Sequence, residues 1–94
     1  LLLSNITDDM RAKFGIPQDV NGVLIINVKS KTDAAEKGIL PGDIIIEVSQ
    51  NKVFSPSDVS MRVNEEIKYA RDFTLLLINR KGTLSYIAVK LSKN

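Results

Sequence analysis

The side chains able to carry chemistry are few, and their types exclude more than they offer. The 94 residues contain no Cys and no His. Without a thiolate or an imidazole the chain cannot assemble a Ser–His–Asp triad, a cysteine nucleophile or a Cys/His zinc site. Carboxylates do occur side by side, as Asp8-Asp9 and Glu65-Glu66. Adjacent positions on a helix do not face one another, so neither pair makes an acid–base dyad or a metal site. No metal and no cofactor is expected, and the chain is not expected to be an enzyme. The basic run Asn79-Arg80-Lys81-Gly82 reads as a solvated hairpin turn rather than a phosphate contact. Tyr86, alternating with apolar neighbours, reads as partly buried strand packing.

Bulk properties narrow the field further. Thirteen Lys and Arg are scattered among eleven Asp and Glu, for a net charge of +2. That is too weak and too dispersed for a nucleic-acid footprint. The apolar runs "GVLII" and "FTLLLI" fall far short of the ~20 residues that span a bilayer. Absence of Cys excludes a disulfide scaffold. Residues 1–94 are expected to form one domain. The opening Leu1-Leu2-Leu3-Ser4-Asn5, with no Met, reads as the start of a fragment of a larger protein.

The elements follow from spacing and punctuation. Leu1 to Ile6 is apolar and extended. Thr7 is a candidate N-cap for a short helix over 8–14, with Asp8 and Asp9 in its first turn and Gly15 as its stop. That helix offers Met10 and Phe14 to a core. Pro17 and Asn21-Gly22 mark a loop. The near-continuous β-branched run over 23–28 predicts a central strand covered on both faces. Thr32 or Asp33 caps a second short helix, which Gly38 ends in a left-handed conformation. Pro41-Gly42 turns the chain, and Asp43 is placed to satisfy turn amides. A strand follows over 44–48, then a tight turn at Gln50-Asn51 and a short strand at Lys52-Val53-Phe54. The clearest helix starts at Ser55, with Pro56 at its first position and Asp58 completing a capping box. Val59, Val63, Ile67 and Ala70 recur on one face of it. A hairpin of strands over 73–79 and 83–91 closes the chain, turning at Asn79–Gly82. The order β–α–β–α–β–β–α–β–β predicts an α+β partial barrel.

The stretch "AAEKGILPGDIIIEVSQNKV" resembles the central signature of PDZ domains. "DVNGVLIINV" is similar to the strand preceding it in that family, and the long helix followed by "FTLLLINRKGTLSYIAVKL" completes the domain. A groove strand at the start and a paired hairpin at the end match the permuted strand order of bacterial PDZ domains. "LSNITDDMRAKFGIPQDVNGVLI" resembles the opening of PDZ domains in the HtrA/Deg (Do) serine proteases, most like the second one.

The resemblance implies a PDZ fold: a partly open barrel or sandwich of five to six short strands with one long and two short helices. It also implies binding of extended or C-terminal hydrophobic peptide segments by strand addition. The groove strand is then Leu1, Leu2, Leu3, Ser4 and Asn5, with amides near Leu1–Leu3 at the back of a carboxylate cradle. The family's hydrophobic–Gly–hydrophobic triplet is here Leu1-Leu2-Leu3, without glycine. On the opposite wall Val63 and Ile67 would line the pocket for the last peptide side chain, while Ser60 and Asn64 would contact the residue two before it. A periplasmic protease concerned with misfolded proteins is the implied parent. Its protease domain and neighbouring subunits are implied partners, with neither nucleic acid nor membrane insertion. A second implied role is assembly, through contacts between subunits that need no peptide groove.

Overall fold

In the computed structural model, which describes residues 1–91, six strands and three helices alternate in the predicted order. The strands are β1 (Leu2–Asn5), β2 (Val23–Asn27), β3 (Ile44–Val48), β4 (Asn51–Lys52), β5 (Phe73–Arg80) and β6 (Thr83–Lys90). The helices are α1 (Asp8–Phe14), α2 (Asp33–Glu36) and α3 (Pro56–Lys68). All pairings are antiparallel, in the order β1-β2-β3-β5-β6, with β4 pairing β3 off this path. The sheet stays open, so β1 and β6 are its two edges.

The helix ends form as the capping residues dictate. The Thr7 hydroxyl accepts the Met10 N–H at 3.2 Å, and Gly15 closes α1 with φ 66°. Thr32, rather than Asp33, caps α2. The Ser55 hydroxyl accepts the Asp58 N–H at 3.2 Å. The return bond of this box lands one residue early, since Asp58 accepts from the Phe54 N–H at 2.8 Å.

Strand alternation builds two apolar layers. Val23, Ile25, Ile45, Val48, Leu76 and Ile78 share one cluster with Ala34 of α2 and Val59 of α3. Leu24 and Ile44 point the other way and pack with Ile16, Met10 and Phe14. Val23, Leu24 and Ile25 are each 0% exposed because both faces of β2 are covered, which is why this strand reads as continuously apolar rather than alternating. Met10 and Phe14 reach this second layer only half-buried.

Three local readings change. The tight turn after β3 is Ser49-Gln50, not Gln50-Asn51. Both residues take positive φ (49° and 67°), and Val48 pairs with Asn51 across them. A two-residue hairpin loop favours this left-handed pair because its twist matches that of the strands. Arg80 is not a solvated turn residue: it ends β5, pairs with Thr83, and leaves the turn to Lys81-Gly82. Its guanidinium forks onto the buried Asp43 at 2.8 and 2.7 Å and also donates to the Gly38 carbonyl at 2.6 Å. Hydrogen bonding to Asp43 holds the Arg80 proton even more firmly than usual. Asp43 also accepts the Leu40 N–H at 2.9 Å, the turn-amide role expected of it. Tyr86 is 57% exposed rather than packed, because no helix covers the β5–β6 hairpin on that face.

Candidate functional site

The free edge of β1 is defined by hydrogen-bond alternation. Ile25 donates to the Asp43 carbonyl at 2.9 Å and accepts from Gly42 at 2.7 Å, so its backbone faces β3. Leu24 therefore turns its backbone toward β1, where Ser4 lies opposite it. Along an antiparallel strand the direction alternates residue by residue, which leaves the N–H and C=O of Leu3 and Asn5 pointing away from the sheet. The Ser4 hydroxyl donates to the Asn5 carbonyl at 2.9 Å, and a carbonyl oxygen retains a second lone pair for an incoming donor. A register shift between Leu2 and Leu3 bends the start of the strand.

Helix α3 forms the neighbouring wall and touches β1 directly. Leu3 of β1 and Val63 of α3 are half-buried against the same core cluster, so the structure brings these two expected residues together. Val59 is a core residue, 7% exposed. One strip round the helix from Val59 and Val63 come Ser60, Asn64 and Ile67, all exposed, Ile67 at 46%. A half-exposed isoleucine beside a half-buried valine makes one apolar stripe shared between core and solvent.

The other expected residues are more dispersed. Leu1 and Leu2 are 48% and 56% exposed, and Asn5 is exposed. Leu1 borders a hollow of about 1010 Å³ shared with Ala34, Phe73, Val89 and Leu91, on the α2 side of the strand. Ser60 and Asn64 line a shallow hollow of about 650 Å³ on the outer face of α3 with Met61 and Lys68. Glu65 and Lys68, which the sequence reading did not place there, add one charge of each sign to that hollow. No residue of β1 reaches this second hollow.

A further connection was invisible in the sequence. The Ser49 hydroxyl hydrogen-bonds the Glu66 carboxylate, and Arg71 approaches Glu66 at 3.6 Å. These contacts tie the β3–β4 turn to the C-terminal half of α3, on the flank away from Ser60 and Ile67. On the far side of the sheet, Arg11 ties α1 to its following loop through the Pro17 and Val20 carbonyls at 2.6 and 2.9 Å. Among the described residues no group of three or more His, Cys, Asp or Glu could hold a metal ion. None of their helices is long and apolar enough to cross a membrane.

This arrangement offers main-chain donors and acceptors at an open edge, with an apolar stripe beside them. It can hold an extended chain.

The profile of the PDZ domain family matches residues 3–91. The chain is 31% identical over 88 residues to a probable periplasmic serine endoprotease, DegP-like, of Chlamydia pneumoniae, covering 94% of this chain and 17% of that protein. It is 29% identical over 92 residues to the DegP-like protein of Rickettsia prowazekii, again 17% of its length. The chain thus spans about one sixth of these relatives. Among solved structures it resembles the HtrA3 PDZ domain bound to a phage-derived ligand (FGRWV), with TM-score 0.74, 19% identity and coverage of 96% of this chain and 79% of that one. It also resembles the HtrA-type protease AlgW with a decapeptide, with TM-score 0.72, 20% identity and coverage of 94% and 26%. The open six-stranded antiparallel sheet, the three helices and the match over nearly the whole chain lead to one conclusion: this chain belongs to the PDZ domain family.

Proposed function

We propose that this chain is a non-catalytic peptide-binding module of a periplasmic DegP-like serine endoprotease, and that it takes extended or C-terminal hydrophobic segments of substrate proteins by strand addition to β1. The observation that carries this reading is the edge itself. Leu3 and Asn5 turn their N–H and C=O outward next to α3, which is the geometry strand addition requires. Main-chain bonds to these two residues would supply affinity that tolerates many sequences. The stripe of Val63 and Ile67, with Leu3 opposite, would supply preference for an apolar side chain. Ser60 and Asn64 would meet the residue two positions earlier. The two solved relatives named above hold peptides, and the DegP-like relatives are named as periplasmic endoproteases, which supports the same reading for this chain. Its place would be to tether substrate for a protease domain elsewhere in the parent.

The test is an NMR titration of the labelled domain with short peptides ending in Val, Leu, Phe or Ala, each with a free and an amidated C-terminus. Shifts clustered on Leu1–Asn5 and Ser60–Ile67, and lost on amidation, are expected. The variant Ile67→Lys separates binding from folding: a residue this exposed contributes little to stability, with surface substitutions typically within ~0.5 kcal/mol, yet a lysine would put charge into the pocket. Unchanged peptide affinity in Ile67→Lys, or no shifts at millimolar peptide, would sink the proposal.

A further inference from the structure

The opposite edge of the sheet is treated in two different ways along its length. At the C-terminal half of β6, Leu91 donates inward to the Asp72 carbonyl at 2.8 Å, while Ala88 and Lys90 face outward. One outward group of each is met by α2 or by the residue that follows it. Lys37 donates to the Ala88 carbonyl at 2.9 Å, and Asp33 accepts the Lys90 N–H at 2.7 Å. By the same alternation Tyr86 and Leu84 also turn their N–H and C=O outward, and no described residue meets them. Their side chains stand 57% and 58% exposed on one face of the hairpin. An uncharged, apolar, uncovered edge is a template for pairing with another chain.

We infer that Thr83–Ile87 is a self-association edge, pairing antiparallel with the same strand of a second copy of this chain. The register follows from which groups are open. A two-fold axis at Ser85 sets Leu84 opposite Tyr86 of the copy and Tyr86 opposite its Leu84. This register uses the N–H and C=O of Leu84 and Tyr86, while Ala88 and Lys90, whose carbonyl and N–H are taken by Lys37 and Asp33, stay outside it. It also stacks an aliphatic side chain on an aromatic one twice, a favourable cross-strand pair. The run Thr83–Val89 carries no charge, so no like charges face one another within the paired segment Thr83–Ile87. The edge β1 is poorer for this purpose, with four residues, an irregular register and α3 alongside.

The area decides the strength. An aromatic side chain buries about 150–250 Å² in full, so the half-exposed Tyr86 and Leu84 bring roughly 200 Å² per copy. With the backbone added, the contact stays well below the ~1,200 Å² of a stable interface. The pair is therefore weak in isolation and gains strength only where copies are already held close. It is independent of peptide binding at β1.

Sedimentation equilibrium and a dilution series of amide spectra, from tens of micromolar to low millimolar, test this. The weight-average mass should rise with concentration, with the Leu84 and Tyr86 amides shifting and those of Leu3 and Asn5 still. Tyr86→Lys and Tyr86→Pro should each weaken association by about tenfold or more; the proline removes an outward donor and leaves the β5 ladder intact. A strictly monomeric chain at low millimolar overturns the inference. So does association that both variants leave unchanged, or shifts centred on β1.

Discussion

Replacing Arg80 with methionine keeps the aliphatic stem and removes the fork that grips Asp43. Asp43 is 1% exposed and keeps only the Leu40 N–H once the guanidinium is gone. Two bonds are lost at 2.8 and 2.7 Å, along with the one to the Gly38 carbonyl. Hydrogen bonds to charged groups are each worth about 1.5–3 kcal/mol, so a simple sum for the two carboxylate bonds gives roughly 3–6 kcal/mol. That sum is too large, because the Arg80 side chain is 44% exposed and water screens it and refills the space it leaves. Exposed ion pairs are worth only about 0–1 kcal/mol. An intermediate cost of about 2 kcal/mol is expected, which in a domain of this size lowers Tm by roughly 8–16 °C. Urea unfolding should show a lower midpoint with an unchanged slope. The decisive assay is the double-mutant cycle with Asp43→Asn. If the buried charge is the cause, Arg80→Met should cost far less in the Asp43→Asn background. A loss below about 0.5 kcal/mol, or an equal loss in both backgrounds, would refute the reasoning by placing Arg80 back among ordinary surface side chains.

Two further outcomes follow from other parts of the fold. Gly22 enters β2 against β3, where an added Cβ would press on the Ile45 carbonyl and come within 2.8 Å of the Ile44 side chain; Gly22→Ala should therefore cost about 1–3 kcal/mol or more, and a thermal melt matching that of the parent chain would show the approach to be looser than described. Asp33 accepts the Lys90 N–H and sits beside the Lys37 ammonium, contacts that hold its carboxyl below the usual range. Because an unfolded Asp titrates near about 3.9, this contact stabilises fully above that value and is lost as pH falls through the lower folded value. The Lys90 amide resonance should titrate in that acid window, and Asp33→Asn should abolish the step; an amide indifferent to acid would separate Asp33 from the edge it covers.

The legible parts of this protein were those set by short-range chemistry. Thr7, Ser55 and Gly15 cap helices through neighbours three or four residues away, so their roles could be read in one dimension. The continuous apolar run from Val23 to Ile25 announced a strand covered on both faces, since no other arrangement buries consecutive residues of a strand. Absence of Cys and His closed off thiol and imidazole chemistry before any fold was considered. The "AAEKGILPGDIIIEV" stretch, resting on small residues, a turn and an apolar strand, was sufficient to suggest the family. The groove residues were legible as types but not as an assembly. That Leu3 meets the same core as Val63, while Leu1 turns toward α2, depends on the register of β1 against β2 and on its irregularity at Leu2. No local signal specifies either.

Tertiary structure alone decided the contacts between residues far apart in the chain. Asp43 and Arg80 lie thirty-seven positions apart and meet only because β3 and β5 are neighbours in the sheet. From sequence, Arg80 beside Lys81 and Gly82 was indistinguishable from a solvated turn. Tyr86 shows the converse. Its alternating pattern predicts one face turned to a core, but burial also requires a covering element, and no helix packs over that face of the hairpin. The sequence by itself determined the order of the elements and most of their caps, because those follow from nearest neighbours. Which strands became edges, which edge α2 plugged and which charges were buried were set by the packing of the sheet, because each depends on partners that sequence spacing does not name.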